Sequence, residues 1–220
     1  MNFRHSFANR KSLSGLTLAE ILVVLTLFGV LMSAIFMIFQ MGLSAWHKAN
    51  TKNELLQEAQ VLNFKLARDV ELSAIQSVSG FPAPPPPDAA HAVAFLSPRD
   101  ANGKVVVDSY GHPEFQKYIV YYHDNSEKTV YRKEVPLVPG ASERGLPAPI
   151  DTYNNGGGAM PLASYRTGGR PIARFVDEFN VEIRPEPANQ LWWEVVVERK
   201  RFGSQRPESI TTNSAAYLRN

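Results

Sequence analysis

The sequence predicts an α+β fold, in which one long N-terminal helix packs on an antiparallel β-sheet. Three observations predict it. Ile21 to Phe39 form an apolar run interrupted only by Thr26, Gly29 and Ser33. Beyond that run, Leu55, Ala59, Leu62, Leu66, Val70 and Ala74 recur three or four residues apart, which is the spacing of one helical face. After Pro82 the pattern changes to short β-branched and aromatic runs punctuated by Gly, Pro, Asn and Asp, the mark of strands and hairpins.

Bulk composition sets the frame. The chain has 220 residues, with 44% hydrophobic and 20% charged side chains, so it carries enough apolar material to fold. It contains no cysteine, which excludes a disulfide framework, a thiolate metal site and a cysteine nucleophile. A domain outside the cytoplasm must then be held by its core alone. Net charge is +2, and nothing global points to nucleic acid. The charge is uneven, because Arg4, Arg10 and Lys11 all precede Gly15 and no acidic residue does.

The segment 16–39 reads as a membrane-spanning helix. Nineteen residues from Ile21 to Phe39, at about 1.5 Å each, nearly match a hydrocarbon core of about 30 Å. The basic residues before it keep the N-terminus cytoplasmic and send the C-terminal bulk across. An ordinary secretory signal has a shorter apolar core, with its cleavage site after that core. Gly42-Leu43-Ser44 offers such a site, but the run preceding it is too long. A plain signal anchor explains length and orientation and leaves Glu20 without a reason, since an ionised side chain in the membrane costs a few kcal/mol, about 3 on insertion scales.

Gly15-Leu16-Thr17-Leu18-Ala19-Glu20, followed by Ile21-Leu22-Val23-Val24, resembles the cleavage and methylation signal of type IV pilins and type II secretion pseudopilins. The resemblance covers about residues 10–40. It implies that a prepilin peptidase removes the basic leader 1–15 after Gly15 and that the new N-terminus, Leu16, is N-methylated. It implies that Glu20, the fifth residue of the mature chain, pairs with the N-terminal amine of a neighbouring subunit and fixes axial register. A carboxylate and an ammonium attract strongly at low dielectric, and leaving either one unpaired is costly. Leu16 departs from the Phe or Met common at the first mature position, but it is apolar like them.

Residues 40–79 read as the amphipathic continuation of the same helix, ending near Val78 with Gly80 as the stop. Residues 80–90, GFPAPPPPDAA, read as a stiff proline-rich connector. The remaining residues, 91–220, read as a β-rich head of four to six strands. Strand candidates are Val93–Leu96, Lys104–Val107, the hairpin formed by residues 116–122 and 128–133, and two alternating runs around Phe179–Ile183 and Trp193–Val197. Residues 136–171 read as a long loop, and the end from Ser204 as irregular. This layout looks most like the larger minor pseudopilins of the J type.

No catalytic constellation appears. The five histidines, His5, His47, His91, His112 and His123, show no metal-ligand spacing and read as surface residues. Asp100, Asn102, Asp108, Asp124 and Asn125 are candidate calcium ligands without an EF-hand pattern. Arg199, Lys200 and Arg201 form a short basic cluster at a strand end, which reads as a solvated edge before it reads as a DNA contact. The expectation is therefore a non-enzymatic assembly subunit of the inner membrane with no cofactor, metal or small-molecule substrate. Its expected partners are other pilins or pseudopilins and the prepilin peptidase. Two alternatives remain: a single-pass membrane protein with a β-rich ligand-binding domain, and a DNA-uptake minor pilin.

Overall fold

The computed structural model describes residues 17–80, 92–141, 144–154, 156–184, 189–200 and 206–219. The leader, Gly15, Leu16 and nearly all of the proline-rich connector lie outside the described residues. The architecture is α+β, with one long N-terminal helix and antiparallel sheets. The chain divides into two units, Met1–His47 and Lys48–Asn220.

Helix α1 spans Leu18–Val70. In the first unit it exposes its apolar side chains throughout. In the second unit it buries a single stripe, Leu55, Ala59, Leu62, Leu66 and Val70, all fully buried. The stripe was legible because its spacing matches the helical period. The helix stops eight residues short of Val78, because its backbone finds other partners. The Ser73 carbonyl accepts from Arg219 N at 2.9 Å, and Ile75 N donates to the Arg219 carbonyl at 2.9 Å. The chain then makes a short 3-10 turn, Ile75–Ser77.

Eight strands form two sheets where one was expected. They are β1 (Ser79–Gly80), β2 (Ala92–Ser97), β3 (Lys117–Asp124), β4 (Thr129–Pro136), β5 (Arg170–Arg174), β6 (Val176–Arg184), β7 (Gln190–Lys200) and β8 (Pro207–Tyr217). Strands β1 to β5 make one sheet in sequence order, and β6, β7 and β8 make the second. All pairings are antiparallel, as in a chain of hairpins. The β3–β4 hairpin closes at a turn where Asp124 Oδ1 accepts from Ser126 N at 2.9 Å, and Lys128 takes a positive φ of 48°.

The core has two parts. In the first, the α1 stripe packs with Val93, Phe95, Ile119 and Tyr121 of the larger sheet and with Phe179, Leu191, Trp193, Val195 and Val197 of the smaller one. The second lies on the opposite face of the larger sheet, where Ala94, Leu96, Tyr118, Val120 and Tyr122 meet Ile150, Tyr153, Leu162 and Tyr165. Those last four come from the long loop. This loop is therefore a cover for the sheet, anchored by two 3-10 turns, Ile150–Thr152 and Leu162–Tyr165. With both faces covered, β2 is buried at every position, which explains a strand without polar alternation.

Three further expectations are corrected. Lys104–Val107 is not a strand; it makes only isolated bridges, Arg99 with Val105 and Val107 with Pro113, because it turns back on the short segment after β2, where Val106 N donates to the Pro98 carbonyl at 2.9 Å. Residues 170–174 are a strand despite Pro171, at the edge position where a missing N–H is tolerated. The C-terminal region beyond Ser204 holds β8, eleven residues long.

Candidate functional site

Every residue from Thr17 to Asn50 is exposed, including Leu22, Leu25, Phe28, Leu31, Phe36 and Phe39. An apolar surface of this size does not persist in water and marks an interaction with lipid or protein. Among the described residues, α1 is the one helix long and apolar enough to cross a membrane. Its hydroxyl side chains are already satisfied. Thr26 Oγ1 donates to the Val23 carbonyl at 2.8 Å, and Ser33 Oγ donates to the Gly29 carbonyl at 2.8 Å. Such back-bonding lets Thr and Ser sit in an apolar segment without an outside partner. Trp46 stands just past the run and Lys48 follows, an aromatic and basic pair of the kind found where a helix leaves the hydrocarbon.

Glu20 is then the sole ionisable side chain between Thr17 and Trp46. The structure places it in the first turn of α1 and gives it a local role. Glu20 Oε2 accepts from Thr17 N at 2.8 Å and from Thr17 Oγ1 at 2.9 Å, while Glu20 N donates to Thr17 Oγ1 at 3.3 Å. This reciprocal arrangement is a capping box, with Thr17 as N-cap and Glu20 three residues on. It satisfies backbone donors that the helix start leaves open. The sequence pattern Thr-x-x-Glu carries this signal, which the family reading of Glu20 obscured. Gly15 and Leu16, the expected cleavage and methylation residues, lie outside the described residues.

The other candidates have structural roles. Arg199, on β7, pairs with Glu54 of α1, and its guanidinium sits 4.7 Å above the Phe175 ring, so it ties helix to sheet. Lys200 is exposed and Arg201 lies outside the described residues. Asp100, Asp108 and Asp124 each spend a carboxylate oxygen on backbone N–H groups of their own turn, at 2.8 to 2.9 Å. The hydrogen bond from His112 N and the neighbouring turn contacts hold Asp108 below its ordinary pKa. His123 is a correction to the surface reading: it is buried, with Nε2 2.8 Å from the Val176 carbonyl.

One cluster was not anticipated. Asp69, in the last turn of α1, accepts through Oδ2 from Arg132 Nε at 2.6 Å and from the Tyr121 hydroxyl at 2.9 Å. Arg132 also bonds Glu134 at 2.6 Å, and Glu134 accepts from Lys117 Nζ at 2.7 Å. Burial, then the charge of Asp69, pushes the Tyr121 hydroxyl well above its usual pKa. Burial opposes charge on Arg132, yet the hydrogen bond and charge of Asp69 outweigh it and raise its pKa. Its members come from residues 69 to 134, a separation that hides the cluster from any local motif.

No family model, curated protein or solved structure matches this chain.

Proposed function

We propose that this protein is a non-enzymatic assembly subunit, a minor pseudopilin or minor pilin of a type II secretion pseudopilus or a type IV pilus. In this reading the chain enters the inner membrane with its N-terminus cytoplasmic. A prepilin peptidase removes residues 1–15 and methylates Leu16. The apolar part of α1 is first the membrane anchor and later the filament core, packed against the same segment of other subunits. Glu20 meets the N-terminal amine of a neighbour and sets the register. The head, folded outside the cytoplasm, faces sister subunits.

The observation that carries this reading is the exposed apolar helix with one carboxylate at its start. Burial of that surface stabilises by about 25 cal/mol per Å², so both bilayer and bundle are adequate hosts. The capping box favours a second reading, a single-pass membrane protein in which Glu20 only begins the helix. One pair of variants separates the two. Gln at the third helical position still closes a capping box but carries no charge. The chain has no native cysteine, so a single cysteine at Val30 reports helix contacts by crosslinking in membranes that hold the peptidase. The assembly reading predicts that Glu20→Gln and Glu20→Ala both abolish the crosslink. Crosslinking retained in Glu20→Gln and lost in Glu20→Ala would support the cap alone.

A further inference from the structure

A cleft of about 340 Å³ opens in the second unit, between the C-terminal half of α1, the turn after β2, and strands β3 to β5. Six cationic side chains and three carboxylates line it. The carboxylates are committed: Asp69 and Glu134 to Arg132 and Lys117, and Asp100 to the N–H groups of Asn102 and Lys104. Four of the six cations are not. Lys65, Arg68 and Arg170 have no carboxylate partner among the described residues, and the Arg99 guanidinium donates to the Gly103 carbonyl, at 3.0 Å, and to no carboxylate among them. The cleft thus holds guanidinium groups with open donors.

The cleft continues past Phe64, Arg68 and Arg99 into a second hollow bordered by Tyr217 and Arg219. Phe64 is 69% exposed and Tyr217 66%; α1 buries its opposite face in the core, and β8 packs Ile210 and Ala216 against it. Exposed aromatics beside unpaired arginines are the composition of an interface centre.

We infer that this cleft docks an extended acidic segment of a partner protein, with carboxylates on Arg68, Arg99 and Arg170 and an apolar side chain against Phe64. Guanidinium groups bind carboxylates through paired, planar hydrogen bonds. The fixed acids in the lining tell against nucleic acid, since a continuous phosphate backbone would have to pass Asp69, Asp100 and Glu134. A peptide places discrete charges between them. This inference does not depend on the membrane segment or on processing.

The test uses the full-length protein in detergent micelles and a labelled peptide of glutamates around a single Phe, read by fluorescence anisotropy. A lysine-for-glutamate peptide and an oligo-dT of equal length are the comparators. The acidic peptide binds, more weakly at high salt, and the lysine peptide does not. Arg68→Glu with Arg170→Glu weakens binding by about tenfold or more, near 1.4 kcal/mol, while Lys200→Glu leaves it unchanged. Arg68 and Arg170 are exposed, and an unchanged melting temperature verifies the fold; if the pair unfolds, Arg170→Glu alone is used. Failure of the acidic peptide to bind, equal binding by the charge-reversed variant, or tighter binding of oligo-dT overturns the inference.

Discussion

The indole N–H of Trp193 donates to Oδ1 of Asn63 at 2.7 Å, joining the central strand of the smaller sheet to the face of α1. The same amide donates through Nδ2 to Thr212 Oγ1 at 3.2 Å on β8. One helical side chain thereby fixes the helix against two strands. Trp193 is fully buried, so its N–H has no access to water if Asn63 is lost. Asn63→Leu is expected to lower the unfolding free energy of the head by about 1–3 kcal/mol, read as a shift in urea midpoint at unchanged slope.

Neighbouring positions on α1 should behave in opposite ways. Leu62 is fully buried in the stripe and Phe64 is 69% exposed. Leu62→Ala costs about 2–5 kcal/mol through lost contacts and a cavity, while Phe64→Ala stays within about 0.5 kcal/mol. Thermal melts of both variants decide it, and similar losses would mean the helix packs on a different face.

Two of the ion pairs that anchor α1 also differ in weight. Asp69 and Arg132 are 12% and 22% exposed, and Tyr121 adds a hydrogen bond. Asp69→Ala leaves the Arg132 Nε and the buried Tyr121 hydroxyl without their acceptor, while Arg132 keeps its bond to Glu134, an expected loss of about 2–3 kcal/mol. Glu54 and Arg199 are 46% and 42% exposed, so Arg199→Ala is expected to cost less than about 1 kcal/mol. Denaturation of both variants in one buffer gives the comparison.

Acid should loosen the same network. Burial raises the Glu134 pKa, but hydrogen bonds from Lys117 and Arg132 outweigh it and hold the carboxyl below its ordinary 4.5. A depressed carboxylate stabilises the fold above its unfolded-state pKa, and that contribution disappears as pH falls through the folded-state value. Stability should therefore decline below pH 4.5, and Glu134→Gln should flatten part of that decline. Because Glu134 is 42% exposed, its share is at most about 1 kcal/mol. A melting-temperature series across the acid range, wild type against variant, measures it.

The parts of the fold legible in the sequence carried either a one-sided burial period or a strong turn signal. The α1 stripe and the alternating residues of β6 and β7 have the period that burial imposes, whereas β3 is buried on both faces and its hairpin with β4 was marked by the polar turn between them. Strand β8 does not: its inward positions include Ile210, Thr212, Ser214 and Ala216, none fully buried, so no apolar alternation marks it. The run at Lys104–Val107 has β-branched residues but makes only isolated bridges, and composition alone cannot supply a partner strand. The end of α1 was missed because its competitor, Arg219, lies at the far end of the chain. At the candidate site, Glu20 stood out as a lone acid in an apolar run. The basic cleft did not, because it assembles from single residues spread between 64 and 172.

The central claim is that this chain is processed and assembled through its N-terminal helix. Intact-mass analysis of the protein extracted from membranes of a host carrying a prepilin peptidase tests it most directly. The account predicts a chain that begins at Leu16 and carries one added methyl group. A full-length mass, or a chain cut after Ser44, would contradict it and leave Glu20 as a helix cap.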